Sequence, residues 1–112
     1  MAGVHITELI VLPDGVELGD DHESMEFGLR VAWRGQFRGR SGGGWSVEHL
    51  GNNLSRAGNW GYPSRFQRWQ YRWETREEAV AAAVRAVETV TVGGRTRAQW
   101  TEYRAEQQEA SS

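Results

Sequence analysis

Eight arginines lie between residues 30 and 72 (Arg30, Arg34, Arg38, Arg40, Arg56, Arg65, Arg68 and Arg72), opposed by one acid, Glu48. The same stretch holds eight of the twelve aromatic residues: Trp33, Phe37, Trp45, Trp60, Tyr62, Phe66, Trp69 and Tyr71. Guanidinium groups pair with phosphate oxygens and rings stack on bases, so this composition suits contact with a nucleic-acid strand. The flanks have the opposite sign. Residues 1–29 carry seven acids and no arginine, and residues 73–112 carry seven acids against five arginines. The whole chain is therefore slightly acidic, with a formal net charge of −2 and a pI of about 5.9. That balance weighs against a dedicated nucleic-acid binder. A sheet with solvated arginines on one face and aromatics in the core would account for the same composition.

Every one of the 13 basic residues is arginine. With abundant Gly, Ala and Val, this is the signature of a GC-rich coding genome, of the kind actinobacteria and their phages have. It is a coding habit, and it lowers the weight of any single arginine.

Other chemistry is scarce. With no cysteine, thiolate nucleophiles, disulfides and cysteine-ligated zinc are excluded. Asp20-Asp21-His22-Glu23 places acids side by side, where they cannot all turn onto one cation, and it reads as a solvated loop. His5, His22 and His49 lack the spacing of a zinc site. Gly42-Gly43-Gly44 lacks the lysine and hydroxyl of a phosphate loop. Arg38-Gly39-Arg40 matches the core of minor-groove hooks but not their flanking prolines. No nucleophile, base and orienting acid occur in a recognisable frame. The expectation is a non-enzymatic protein with no catalytic residue, no metal and no cofactor.

The elements that must position these residues follow from periodicity. With 112 residues the chain fits one domain. Residues 4–18 read as a strand or a hairpin turning at Pro13-Asp14-Gly15. Residues 19–24 read as an acidic loop. Phe27, Leu29, Val31 and Trp33 alternate with Glu26, Gly28, Arg30, Ala32 and Arg34, a strand with one apolar and one arginine face. Residues 38–44 read as a flexible hairpin tip, 45–50 as a second strand, 51–64 as a long irregular loop, and 66–73 as a third strand. That strand would carry Trp69, Tyr71 and Trp73 on one face, with Arg68 and Arg72 on the other. Thr75 and Glu78 form a capping box opening a helix over about 76–91, and Thr96 and Gln99 a second box opening a helix over 96–108, beyond which the tail should fray.

The consistent assembly is an α+β domain: an antiparallel sheet of three to five strands, one helix packed on one face, and a short C-terminal helix. Phe27, Leu29, Val31, Trp33, Trp69, Tyr71 and Trp73 would meet Val80, Val84 and Val87. Arg30, Arg34, Arg68 and Arg72 would then emerge together on the opposite face, with Arg38 and Arg40 beside them.

Over residues 26–91, three strands followed by Thr75, Glu77, Glu78, Ala79 and Ala83 resemble the sheet-plus-helix domain of plant ethylene-response factors and the arm-binding domains of tyrosine integrases. The resemblance implies a sheet laid into the DNA major groove, with Arg30, Arg34, Arg68 and Arg72 as contacts. The competing expectation is a protein-interaction module, homodimeric or seated on another protein, in which Trp45, Trp60 and Tyr62 form the partner surface. No apolar run approaches the roughly 20 residues needed to span a bilayer, and no basic flank precedes the N-terminal apolar stretch, so a cytoplasmic location is expected.

Overall fold

The computed structural model describes residues 3–19 and 26–111. The acidic stretch Asp20–Glu23 lies outside the described residues. Five strands form one antiparallel sheet in sequential order: β1 (Glu8–Val11), β2 (Leu29–Trp33), β3 (Trp45–His49), β4 (Asn52–Leu54) and β5 (Trp60–Gly61). Helix α1 (Arg76–Ala86) packs across β1, β2 and β3. A two-stranded hairpin, β6 (Thr91–Val92) and β7 (Arg95–Thr96), leads into helix α2 (Arg97–Ser111). The architecture is the expected α+β sheet with one packed helix and a C-terminal helix.

The period-two strand 26–34 condenses to β2, with Leu29 and Val31 fully buried and Arg30 exposed. Leu29, Val31, Val47, Leu54 and Trp73 meet Ala79, Ala82, Ala83, Val87 and Val90 in the core. The helix face differs from the expected valine stripe. Ala79, Ala82 and Ala83 point inward, while Val84 is 57% exposed. Bulk comes from the sheet, so the helix turns its smallest residues toward it and approaches closely. Trp33 does not join this contact. It is 50% exposed beside Val4, Ile6 and Trp45.

The capping boxes place both helices. Thr75 Oγ1 accepts from the Glu78 amide at 3.2 Å and donates to the Glu78 carboxylate at 2.9 Å. At α2 the box is fully reciprocal, Gln99 N to Thr96 Oγ1 and Thr96 N to Gln99 Oε1. Helix α2 continues past residue 108 to Ser111 and buries no residue. It contributes to a radius of gyration of 16.3 Å, against about 13 Å for a compact chain of this length.

Four local expectations are corrected. First, Pro13–Gly15 does turn, with Val16 N bonding Pro13 O at 3.1 Å, but residues 16–18 do not return as a strand, so no N-terminal hairpin forms. Second, the 38–44 tip is a pinned loop. Arg34 N bonds Gly44 O, Gly44 N bonds Gly35 O and Arg38 N bonds Gly42 O, at 2.7–3.0 Å, around a 3-10 turn at Gly39–Ser41. Gly43 sits at φ +77, and a Cβ there would lie 1.9 Å from Gln36 O. Third, the 51–64 stretch is not one loop: it carries β4 and β5. Leu50 and Gly51, at φ 47 and 89, make the two-residue turn with both central φ values positive that suits a tight hairpin.

Fourth, Phe66–Trp73 is not a strand. Arg68–Tyr71 forms a 3-10 turn, and only Trp73 keeps a ladder contact, an isolated bridge to Trp45. The alternation is present, but strands need a free edge. β4 already occupies the β3 edge at Glu48 and His49, which leaves Trp45 as the available partner. The third strand that the ethylene-response-factor layout requires is therefore replaced by a coiled segment.

Candidate nucleic-acid interface

Arg30, Ala32 and Arg34 alternate onto the face away from α1, and antiparallel pairing sets Glu48 opposite Arg30 and Ser46 opposite Ala32. Glu48 thus becomes a hub. It accepts from Arg30 Nη2 at 2.8 Å, from Ser46 Oγ at 2.6 Å, and from Arg34 Nη2. Arg34 Nε also donates to Ser46 Oγ at 3.1 Å. Burial alone would raise the Glu48 carboxyl. The hydrogen bonds from Ser46, Arg30 and Arg34, with the Arg34 charge, overcome this and lower it to about 2. The Arg30 guanidinium is correspondingly raised, chiefly by its bond to Glu48. The two arginine side chains remain 45% and 38% exposed, so each is anchored at one end and open at the other.

Arg68 and Arg72 reach the same place by a different route. After β5 the chain passes Tyr62 and Pro63 and coils through the 3-10 turn. Arg34, Arg68 and Arg72 then line one recess of about 480 Å³, together with Glu48, Asn53 and Tyr62. Gly42 and Gly43 of the pinned loop close one wall. Arg72 is the deepest of the three. Burial lowers its pKa first, and the neighbouring Arg34 and Arg68 charges lower it further, with Glu48 acting the other way. Its Nη1 donates to Tyr71 O at 3.2 Å, whereas its Nε is buried without a hydrogen bond among the described residues. Three guanidinium groups around one carboxylate leave a local excess of positive charge, and an anion in the recess would relieve their mutual repulsion.

Of the four arginines expected on one face, three meet in the recess, Arg34 from just past the end of β2 and Arg68 and Arg72 from the coiled segment. Arg30, on β2, is joined to them through the shared Glu48 carboxylate and lines the neighbouring recess with Ile10 and Leu50. Arg38 is exposed on the pinned loop, and Arg40 lies over the Trp69 ring at 5.4 Å. The turn carrying Arg40 packs against the turn carrying Arg68, but neither Arg38 nor Arg40 lines the recess, to which this loop contributes Gly42 and Gly43. Arg56 serves this segment from behind, its Nε donating to Arg72 O at 2.6 Å.

The proposed partner residues divide. Trp45 and Trp60 are half-buried against the core, Trp60 edge-on to His49 at 5.8 Å. Tyr62 is 85% exposed. His49 is itself buried, with Nε2 2.6 Å from Glu26 O, a packed role. Among the described residues no cluster of His, Cys, Asp or Glu could hold a metal, and no helix is long and apolar enough to cross a membrane.

Sequence reasoning overlooked Glu48 and Ser46 as organisers. The signal was present. Glu48 is the single acid in the arginine-rich stretch, and two-residue spacing puts Ser46 and Glu48 on one strand face. Compared with protein-family models, curated proteins and solved structures, the chain matches none. The class defined by fold and site is a small α+β domain with an arginine-lined recess on the sheet face opposite its helix.

Proposed function

We propose that this protein binds nucleic acid, DNA in the first instance, through the arginine face, and acts by binding and not by catalysis. The observation that carries the reading is the convergence of Arg34, Arg68 and Arg72 on one recess, with Arg30 joined to it through Glu48. Phosphate contacts would supply most of the affinity, and arginines at the rim would meet base edges. Fluorescence anisotropy of labelled DNA at about 50 and 200 mM salt tests this, since binding through phosphates falls steeply over that range. Arg68→Ala removes an exposed guanidinium and should weaken binding while lowering the salt slope by about 1. Absent or salt-insensitive binding would sink the proposal.

A second reading, self-association, is favoured by one observation. β1 is an edge strand that carries Ile10 at 45% exposure and is preceded by Val4 at 94% and Ile6 at 49%. Such an edge can pair with its own copy across a two-fold axis. A molar mass independent of concentration in light scattering removes it.

A further inference from the structure

We propose that the recess takes an unpaired nucleotide, its base stacked on Tyr62 and its phosphate held by Arg34, Arg68 and Arg72, so that the preferred ligand is a single strand and not a duplex. This rests on the nucleic-acid reading above and narrows it.

Three features lead to it. Tyr62 lines the same recess as the three arginines and is 85% exposed. Phe66, four residues on, is also 85% exposed. Fold stability does not require either ring in water, and base stacking is the use that places a bare aromatic next to a phosphate site. Next, the recess, about 480 Å³ and open on one side, is wide enough to admit one nucleotide and is lined mainly by polar groups.

Finally, two of the three recess arginines do not project as a groove reader needs. Arg72 is half-buried, and Arg34 is tied back to Glu48 and Ser46. Entering a major groove about 8.5 Å deep requires side chains that stand out from the surface. A duplex also keeps its base faces stacked inside, beyond reach of Tyr62. An unpaired strand can turn one base out onto the ring while its phosphate enters the recess. Asn53, in the lining, offers an amide to the edge of that base.

The test uses the full chain with three labelled probes: oligo-dT and oligo-rU of about 12 nucleotides, within the span single-strand binders cover, and a mixed-sequence DNA duplex. At low salt the expected result is single-strand binding about tenfold or more tighter than duplex binding. Tyr62→Ala should then weaken the single-strand complexes roughly 5- to 150-fold, the effect of losing one stacked base, and leave the duplex complex unchanged. Tyr62→Phe keeps the ring and should restore wild-type affinity. Tighter binding of either oligo-dT or oligo-rU than of the duplex supports the inference. Equal affinity for duplex and single strands, or indifference to Tyr62→Ala, overturns it while leaving the arginine reading intact. Binding to none of the probes overturns both.

Discussion

Replacing Glu48 with Gln keeps the shape of the side chain and removes the charge on which Arg30, Arg34 and Ser46 converge. In the folded protein this carboxyl is lowered to about 2 from an ordinary 4.5. A difference of that size corresponds to at most roughly 3 kcal/mol of stability. The partner arginines are 45% and 38% exposed, so solvent screening reduces the realistic figure to about 1–2 kcal/mol. Because the folded pKa is the lower one, the contribution is complete above about pH 4.5 and drains away as pH falls toward 2. Urea unfolding followed by tryptophan fluorescence should therefore show Glu48→Gln less stable by that amount at pH 7, with the gap closing between pH 4.5 and pH 2. The same substitution frees Arg30 and Arg34, so the salt slope of nucleic-acid binding should steepen by about 0.7–0.9 for each further phosphate these side chains neutralise. A gap that is absent at pH 7, or undiminished at pH 2, refutes the account of Glu48 as an ionised hub.

Two further predictions separate packing from propensity, both read as thermal midpoints by circular dichroism. Gly43→Ala should lower the midpoint by roughly 10 °C or more, since backbone strain of about 1–3 kcal/mol adds to a collision with Gln36 O. Gly58→Ala, at φ +89 with nothing within 4 Å, suffers the strain alone and should lose less; equal losses would show that the close approach is unimportant. Thr75→Ala removes the cap of a helix that buries Ala79, Ala82 and Ala83 and should cost about 1 kcal/mol. Thr96→Ala uncaps a helix with no fully buried residue, held to the domain chiefly by Trp100 on Val92 O, and should lower the midpoint less than Thr75→Ala does.

What could be read ahead of the structure was whatever depends on local order. Alternation from Phe27 to Val31 identified β2 and its buried face, and the two threonine caps located the start of each helix within a residue. Their ends were misjudged: α1 stops at Ala86 and gives way to a 3-10 turn and β6 where helix to about 91 was expected, and α2 runs on to Ser111. What escaped depends on who pairs with whom. The 66–73 stretch alternates as well as β2 does, yet no strand edge remained for it beyond Trp45. Asn52–Leu54 and Trp60–Gly61 carry almost no strand signal; the Leu50–Gly51 turn folds the first back on β3, and the turn closed by Ser55 and Asn59 folds the second back on β4. The arginine cluster survived this error because the coiled segment still packs beside the loop at Gly39–Ser41. Charge segregation pointed to the cluster, although the inferred strand geometry behind it was wrong.

The acidic balance of the whole chain then bears on rate more than on whether the site can bind. Charges further apart than about 10 Å are largely screened at 0.1 M salt, and this protein extends 59 Å along its longest axis. Among the N-terminal acids Glu8 is close, 3.9 Å from the Arg30 guanidinium, whereas acids more than a screening length away contribute little inside a recess bounded by three guanidinium groups and one carboxylate. They do remove the long-range field that would draw a polyanion in from a distance. Affinity must then come from contact at the recess itself. An aromatic ring at its rim matters for that reason, because stacking holds a base with no help from net charge. A protein with a net charge of −2 and a recessed arginine cluster is better suited to retaining a strand already in contact than to capturing one by attraction.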